Sequence, residues 1–94
     1  MPMHRTRQGE HYSEGSRLLW ETGLRPHEIE KRLAKYTEAE RMPRGIVSSW
    51  LYGERRPGLK WALRVRDEFG IEPDEFGRAA RVPLRETLKK ARAA

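Results

Sequence analysis

Cysteine is absent from the 94 residues, which excludes disulfides and thiolate metal sites and makes a reducing cytoplasm the expected setting. No run approaches the roughly eighteen consecutive apolar residues of a membrane span, and the N-terminal stretch lacks the apolar run of a signal peptide; no membrane partner is expected. No segment alternates apolar and polar residues as a half-buried strand would, so the chain reads as all-α. The histidines at 4, 11 and 27 are too dispersed for a metal motif, and the glycines stand singly, with no glycine-rich phosphate loop. A nucleophilic serine would need a base and a water-excluding cleft, and so small a core leaves little room for one. Neither an enzyme nor a cofactor or metal protein is therefore expected.

Charge is what the chain has in quantity. Charged residues make up 36% of it, as many as the hydrophobic ones, and 20 Lys and Arg against 14 acids give a formal +6. Fifteen of the twenty cations are Arg. Excess positive charge favours polyanions, and the planar guanidinium fork fits phosphate or a guanine edge. A basic, Arg-rich composition also arises with no such partner, so charge alone does not decide.

Punctuation along the chain gives its organisation. Residues 1–12, "MPMHRTRQGEHY", have no periodicity and read as a flexible basic arm, with Arg5 and Arg7 available for non-specific or minor-groove contact. Residues 13–80 read as one folded domain. Ser13 or Ser16 caps a first helix carrying Leu18, Leu19 and Trp20, and Gly23 stops it. Pro26 suits the first position of a second helix, whose Ile29, Leu33 and Tyr36 share a face. Thr37 and Glu40 have capping-box spacing. A third helix is expected from about Pro43 to Tyr52, ended by Gly53. A fourth carries a buried stripe of Leu59, Ala62, Leu63, Val65 and Phe69, closed by Gly70, with Arg66 reaching from the stripe to a carboxylate or to solvent. A short fifth helix starts near Pro73. The tail, 81–94, can form an amphipathic helix with Leu84, Leu88 and Ala91 on one side; it would pack on its own domain, pair with a second subunit or lie on an acidic partner. Trp20 and Trp50 are expected in the core, Trp61 at its edge.

The third helix is the most informative stretch. On a wheel of 100° per residue, Ile46, Val47, Trp50 and Leu51 occupy one arc of about 140°; Arg44, Gly45, Ser48, Ser49 and Tyr52 occupy another opposite it. Solvent-facing sides ordinarily carry Glu and Lys pairs, yet residues 43–53 contain no acid. Small side chains permit close approach to a major groove, and Arg near the start of the helix matches guanine O6 and N7. Beyond the helix, Arg55, Arg56 and Lys60 are placed for phosphates.

At these residues the chain resembles the Cro and phage-repressor (XRE-like) family of helix-turn-helix proteins, whose recognition helix ends in a Trp-Glu-x-Gly-x-Arg-x-Pro pattern. Trp50, Gly53, Arg55 and Pro57 of "WLYGERRP" stand at those spacings, with Leu51 in place of the acid. "SRLLWETGLRPHEI" is similar to the family's first helix and the start of its second, and "LKWALRVRDEFGIEPDEF" to its fourth and fifth; the likeness spans about residues 16–77. It implies a compact five-helix, lambda-repressor-like domain that binds double-stranded operator DNA, often as a homodimer. Base-reading positions fall on Arg44, Gly45, Ser48 and Ser49, and phosphate contacts on Arg55 and Arg56. The chain departs from the pattern in three further places. Glu30 stands where a small residue is usual, Arg25-Pro26 replaces Thr-Gln, and "AKYTEAERMPRG" is about seven residues longer than the usual turn.

The leading expectation is thus a sequence-specific, nucleoid-associated transcriptional regulator of repressor type, from a phage or bacterium, with Arg44, Gly45, Ser48, Ser49 and Tyr52 reading bases. Two alternatives stand beside it. One is a protein-interaction module on the same scaffold, antitoxin-like or an anti-repressor, with Leu84 and Leu88 as hot positions of a surface within 81–94. The other is a nucleic-acid-packaging adaptor such as a small terminase subunit.

Overall fold

The computed structural model describes residues 9–35 and 42–93. Arg5, Arg7, Tyr36, Thr37 and Glu40 lie outside them, as does most of the long connection after the second helix. Five α-helices follow in order: α1 (Glu14–Glu21), α2 (Pro26–Ala34), α3 (Ile46–Leu51), α4 (Leu59–Phe69) and α5 (Leu84–Ala93), with a 3₁₀ turn at Pro73–Gly77 between the last two. The described part is all-helical and contains no strand, only an isolated bridge between Ser13 and Ala79. None of these helices is long and apolar enough to cross a membrane.

Local chemistry explains most boundaries. The Ser13 side chain accepts from the Ser16 amide at 3.2 Å and so caps α1. Pro26 opens α2, and the Glu28 carboxylate reaches back to the Arg25 amide at 2.9 Å. Gly70, at φ 73°, closes α4. The segment expected to be a short fifth helix winds as the 3₁₀ turn, with the Phe76 ring buried at its centre. That ring lies flat on Gly15 of α1, where a Cβ atom would come within 2.5 Å of it.

The core is built from Leu19, Ile29, Leu33, Val47, Trp50, Leu51, Ala62, Val65, Ile71 and Phe76. Each large member contributes about 1.5–3 kcal/mol by leaving water. Leu59 is not among them: its side chain is 70% exposed, because it occupies the first position of α4, beyond the reach of the other helices. Leu63 and Phe69 are half-buried, and Ala91 is exposed. Arg66 reaches solvent and pairs with Asp67 at 3.2 Å. Trp20 and Trp61 are half-buried against the core.

Two polar anchors hold the helices together. Glu14, whose side chain is 5% exposed, binds the Arg17 guanidinium at 2.5 Å, the Arg81 amide at 3.1 Å and Arg81 Nε at 3.3 Å. The Arg17 hydrogen bond holds its carboxyl at about 2, well below the usual range, against the opposing effect of burial. Glu68 of α4 receives Arg32 Nη1 at 3.8 Å and the Lys35 ammonium, tying α4 to the end of α2.

The tail packs on its own domain. Leu84 and Leu88 are half-buried, the Tyr12 and Thr87 hydroxyls bond at 2.6 Å, and Lys90 meets Glu21 of α1 at 3.5 Å. The far end of the segment expected to be an arm is likewise held. The Gly9 amide donates to the Tyr52 carbonyl at 2.7 Å and the His11 amide to that of Gly53 at 2.6 Å. The backbone of Tyr12 rests on Gly53, whose φ is 69° and where a Cβ would lie 2.6 Å from the Tyr12 nitrogen.

Two stability predictions follow from these contacts. Gly53→Ala meets both a left-handed backbone and an immovable neighbour, and should lower unfolding stability by about 2–4 kcal/mol in urea titrations. The depressed Glu14 value means that its stabilisation is complete above the unfolded value of 4.5 and is lost as pH falls towards 2. Glu14→Gln should therefore cost about 3 kcal/mol at pH 7. The gap from wild type should narrow to under about 1 kcal/mol at pH 2.5, measured by the same titrations.

Candidate nucleic-acid interface

Helix α3 is seated from within. Val47, Trp50 and Leu51 are completely or almost completely buried, and Ile46 is half-buried on the same side. The inward arc expected from the sequence is the one that packs, against both α1 and α2. The Trp50 ring lies 6.4 Å from that of Trp61 on α4.

A helix leaves its last four carbonyls without internal partners, and here all four are satisfied. The Tyr52 amide donates to Ser48 at 2.9 Å, the Glu54 and Arg55 amides to Ser49 at 2.8 and 3.1 Å, and the Gly53 amide to Trp50 at 3.2 Å. The Trp20 indole of α1 donates to the Leu51 carbonyl at 2.7 Å. Positive φ at Gly53 folds the following loop back under the helix, which fixes where Arg55 and Arg56 begin.

Helix α3 starts later than the sequence suggests. Gly45 adopts φ 77°, a left-handed conformation, and serves as N-cap, so the helix runs from Ile46 and not from Pro43. Arg44 is therefore not in the first helical turn: it stands in the turn that precedes it, exposed. Nothing lies within 4 Å of where a Gly45 Cβ would be, so the approach to this end of the helix is open.

The outward residues divide. Ser48 is half-buried. Ser49 is also half-buried, and its hydroxyl donates to the Ile46 carbonyl at 2.5 Å, which turns that group back onto the helix. The Tyr52 ring is not on the outward side: it meets the Trp20 ring edge-on, with centroids 5.4 Å apart and planes at 89°. The Tyr52 amide still joins the helical ladder at Ser48, so it is the side chain and not the backbone that departs from the outward period. Leu51 is the last helical residue, and beyond it the aromatic contact sets the direction of the side chain.

Arg55 and Arg56 are exposed in the loop and Lys60 is exposed in the first turn of α4. Arg64, one turn beyond Lys60, lies over the Trp61 ring at 4.7 Å, and its Nη1 is buried without a hydrogen-bond partner. No motif singles out Arg64; its i,i+3 spacing from Trp61 is the one sequence signal for this contact. Arg44 and Ser48 thus stand at and just inside one end of α3, and Arg55 and Arg56 at the other. Arg25 and His27, at the start of α2, are exposed.

Comparison of the chain with protein-family models, with curated proteins and with solved structures returns no match.

Proposed function

We propose that the protein is a sequence-specific binder of double-stranded DNA, acting as a small transcriptional regulator, with α3 as the helix that enters the major groove. One observation carries this reading. Helix α3 is fixed from behind by buried Val47, Trp50 and Leu51, while exposed arginines stand at both its ends and no acid occurs from 43 to 53. The resemblance of "WLYGERRP" to the Cro and phage-repressor family supports the same reading, as does the direct packing of α2 on α3, the pair that would form the helix-turn-helix.

The residue roles narrow with the geometry. Arg44 and Ser48 read base edges, and Gly45 keeps the N-terminal approach free of a side chain. Ser49 and Tyr52 are given no base-reading role, since a local hydrogen bond and the Trp20 ring engage them. Arg55, Arg56 and Lys60 hold phosphates and so set register along the duplex. A homodimer on a two-fold symmetric site would place two copies of α3 one helical turn apart.

Selection from random duplex DNA tests the proposal: an enriched motif is expected, and its symmetry reports whether the binding unit is a dimer. Arg44→Ala should weaken the preferred site by about 1–3 kcal/mol and relax one base preference. Equal loss on every sequence would remove Arg44 from base reading. Arg55→Gln and Arg56→Gln should weaken all duplexes alike, each reducing the slope of log affinity against log salt by about 0.9. Failure to enrich any motif, with duplex affinity intact, would overturn sequence-specific recognition.

A further inference from the structure

The net charge is distributed very unevenly. Residues 78–94 hold six of the twenty cations and one of the fourteen acids, so five of the six net positive charges lie in the last seventeen residues. The remaining seventy-seven residues, with α3 and its flanking arginines, are close to neutral.

The six cations of this stretch fall into two groups. Arg78 pairs locally with Glu75 at 3.5 Å, while Arg81 with Glu14 at 3.3 Å and Lys90 with Glu21 at 3.5 Å hold the tail to α1. Arg85, Lys89 and Arg92 are exposed and take part in no ion pair among the described residues. They recur at i, i+4 and i+7, within an arc of about 60° on α5. Together with Glu86 they frame a shallow groove of about 410 Å³. The opposite side of α5 is occupied, since Leu84, Thr87 and Leu88 face inward.

We propose that the outward face of α5, carrying Arg85, Lys89 and Arg92, is a polyanion-binding surface that grips the sugar-phosphate backbone of a nucleic-acid duplex without regard to base sequence. Three like charges on one exposed helix face set up a local positive potential, only partly offset by Glu86, that a polyanion would neutralise. Their span along the helix axis is about 10 Å, about three intervals of the axial phosphate spacing of about 3.4 Å along one strand. Two arginines supply planar forks suited to phosphate oxygens. A lipid surface fits less well, because a membrane-lying helix must insert its apolar side and that side of α5 is packed inward. The surface belongs to a different helix from α3 and does not rest on the role proposed for it.

The test is a fluorescence-anisotropy titration of the full chain against a duplex of arbitrary sequence, from about 50 to 300 mM salt. The combined variant Arg85→Gln, Lys89→Gln and Arg92→Gln is expected to reduce the log–log salt slope by about 2–3. Its affinity at the low-salt end should fall more than about tenfold. Circular dichroism should show unchanged helix, because none of the three holds an ion pair among the described residues. Arg85→Lys with Arg92→Lys keeps the charge and should keep the slope. A slope unchanged in the glutamine variant overturns the proposal. So does loss of binding to phosphatidylglycerol vesicles or to an acidic protein while duplex binding stays intact. Arg55→Gln with Arg56→Gln in the same series scores the α3 reading separately. A lowered slope in the α5 variant alone leaves this surface standing and removes the α3 loop from phosphate binding; a lowered slope in the loop variant alone does the reverse.

Discussion

Six residues are too few to hold a helix in water, where even helix-prone peptides shorter than about twelve residues are marginal, and α3 is six residues long. It exists because the rest of the molecule makes it. Trp50, with no exposed surface, anchors it to the core between Val47 and Leu51. Its C-terminal carbonyls are then closed by four main-chain amides and one indole. Neither part suffices alone: burial sets the rotation of α3, and the closed carbonyls set where it stops. Everything outward of α3, including the position of Arg55 and Arg56, is referred to these two facts.

The same logic extends to the neighbouring elements. Among the described residues Glu14 and Glu68 are the most deeply placed ion-paired carboxylates, and each collects cations from a different part of the chain, Arg17 and Arg81 in one case and Arg32 and Lys35 in the other. A buried carboxylate is costly unless charged partners and hydrogen bonds surround it, so these anchors position chain segments as well as stabilise them. Glu14 brings residue 81 beside α1, and α5 begins three residues later. Glu68 holds the end of α2 against α4, just before the long connection to α3.

Much of this was legible in the sequence because single residues carry it. Pro26 announces the start of α2, Gly70 the end of α4, and the spacing of Val47, Trp50 and Leu51 the inward side of α3. What was not legible depended on neighbours that no local pattern names. Gly45 could continue a helix or cap one, and only its positive φ decides; continuation would put Arg44 in the first turn, and capping leaves it outside. Leu59 has the period of a buried residue but stands exposed at the first position of α4. Tyr52 follows the outward period, yet Trp20, distant in sequence, draws its ring inward. The inward side of α3 is therefore where the sequence puts it, while on its outward side Arg44 falls before the helix and the Tyr52 ring turns towards Trp20. The division of the tail cations into paired and unpaired sets was also invisible, because it depends on where Glu14, Glu21 and Glu75 come to lie.

The way α3 is closed has a consequence for how such a molecule can change over generations. Its C-terminal carbonyls are satisfied by the main chain and by Trp20, while Arg44 stands exposed before its other end and enters no ion pair among the described residues. A lineage is free to exchange that arginine while the architecture persists. Drift at Gly53, by contrast, is blocked by the backbone of Tyr12 pressed against it. Diversity among descendants should accumulate at the exposed end of α3 and be purged at its sealed one.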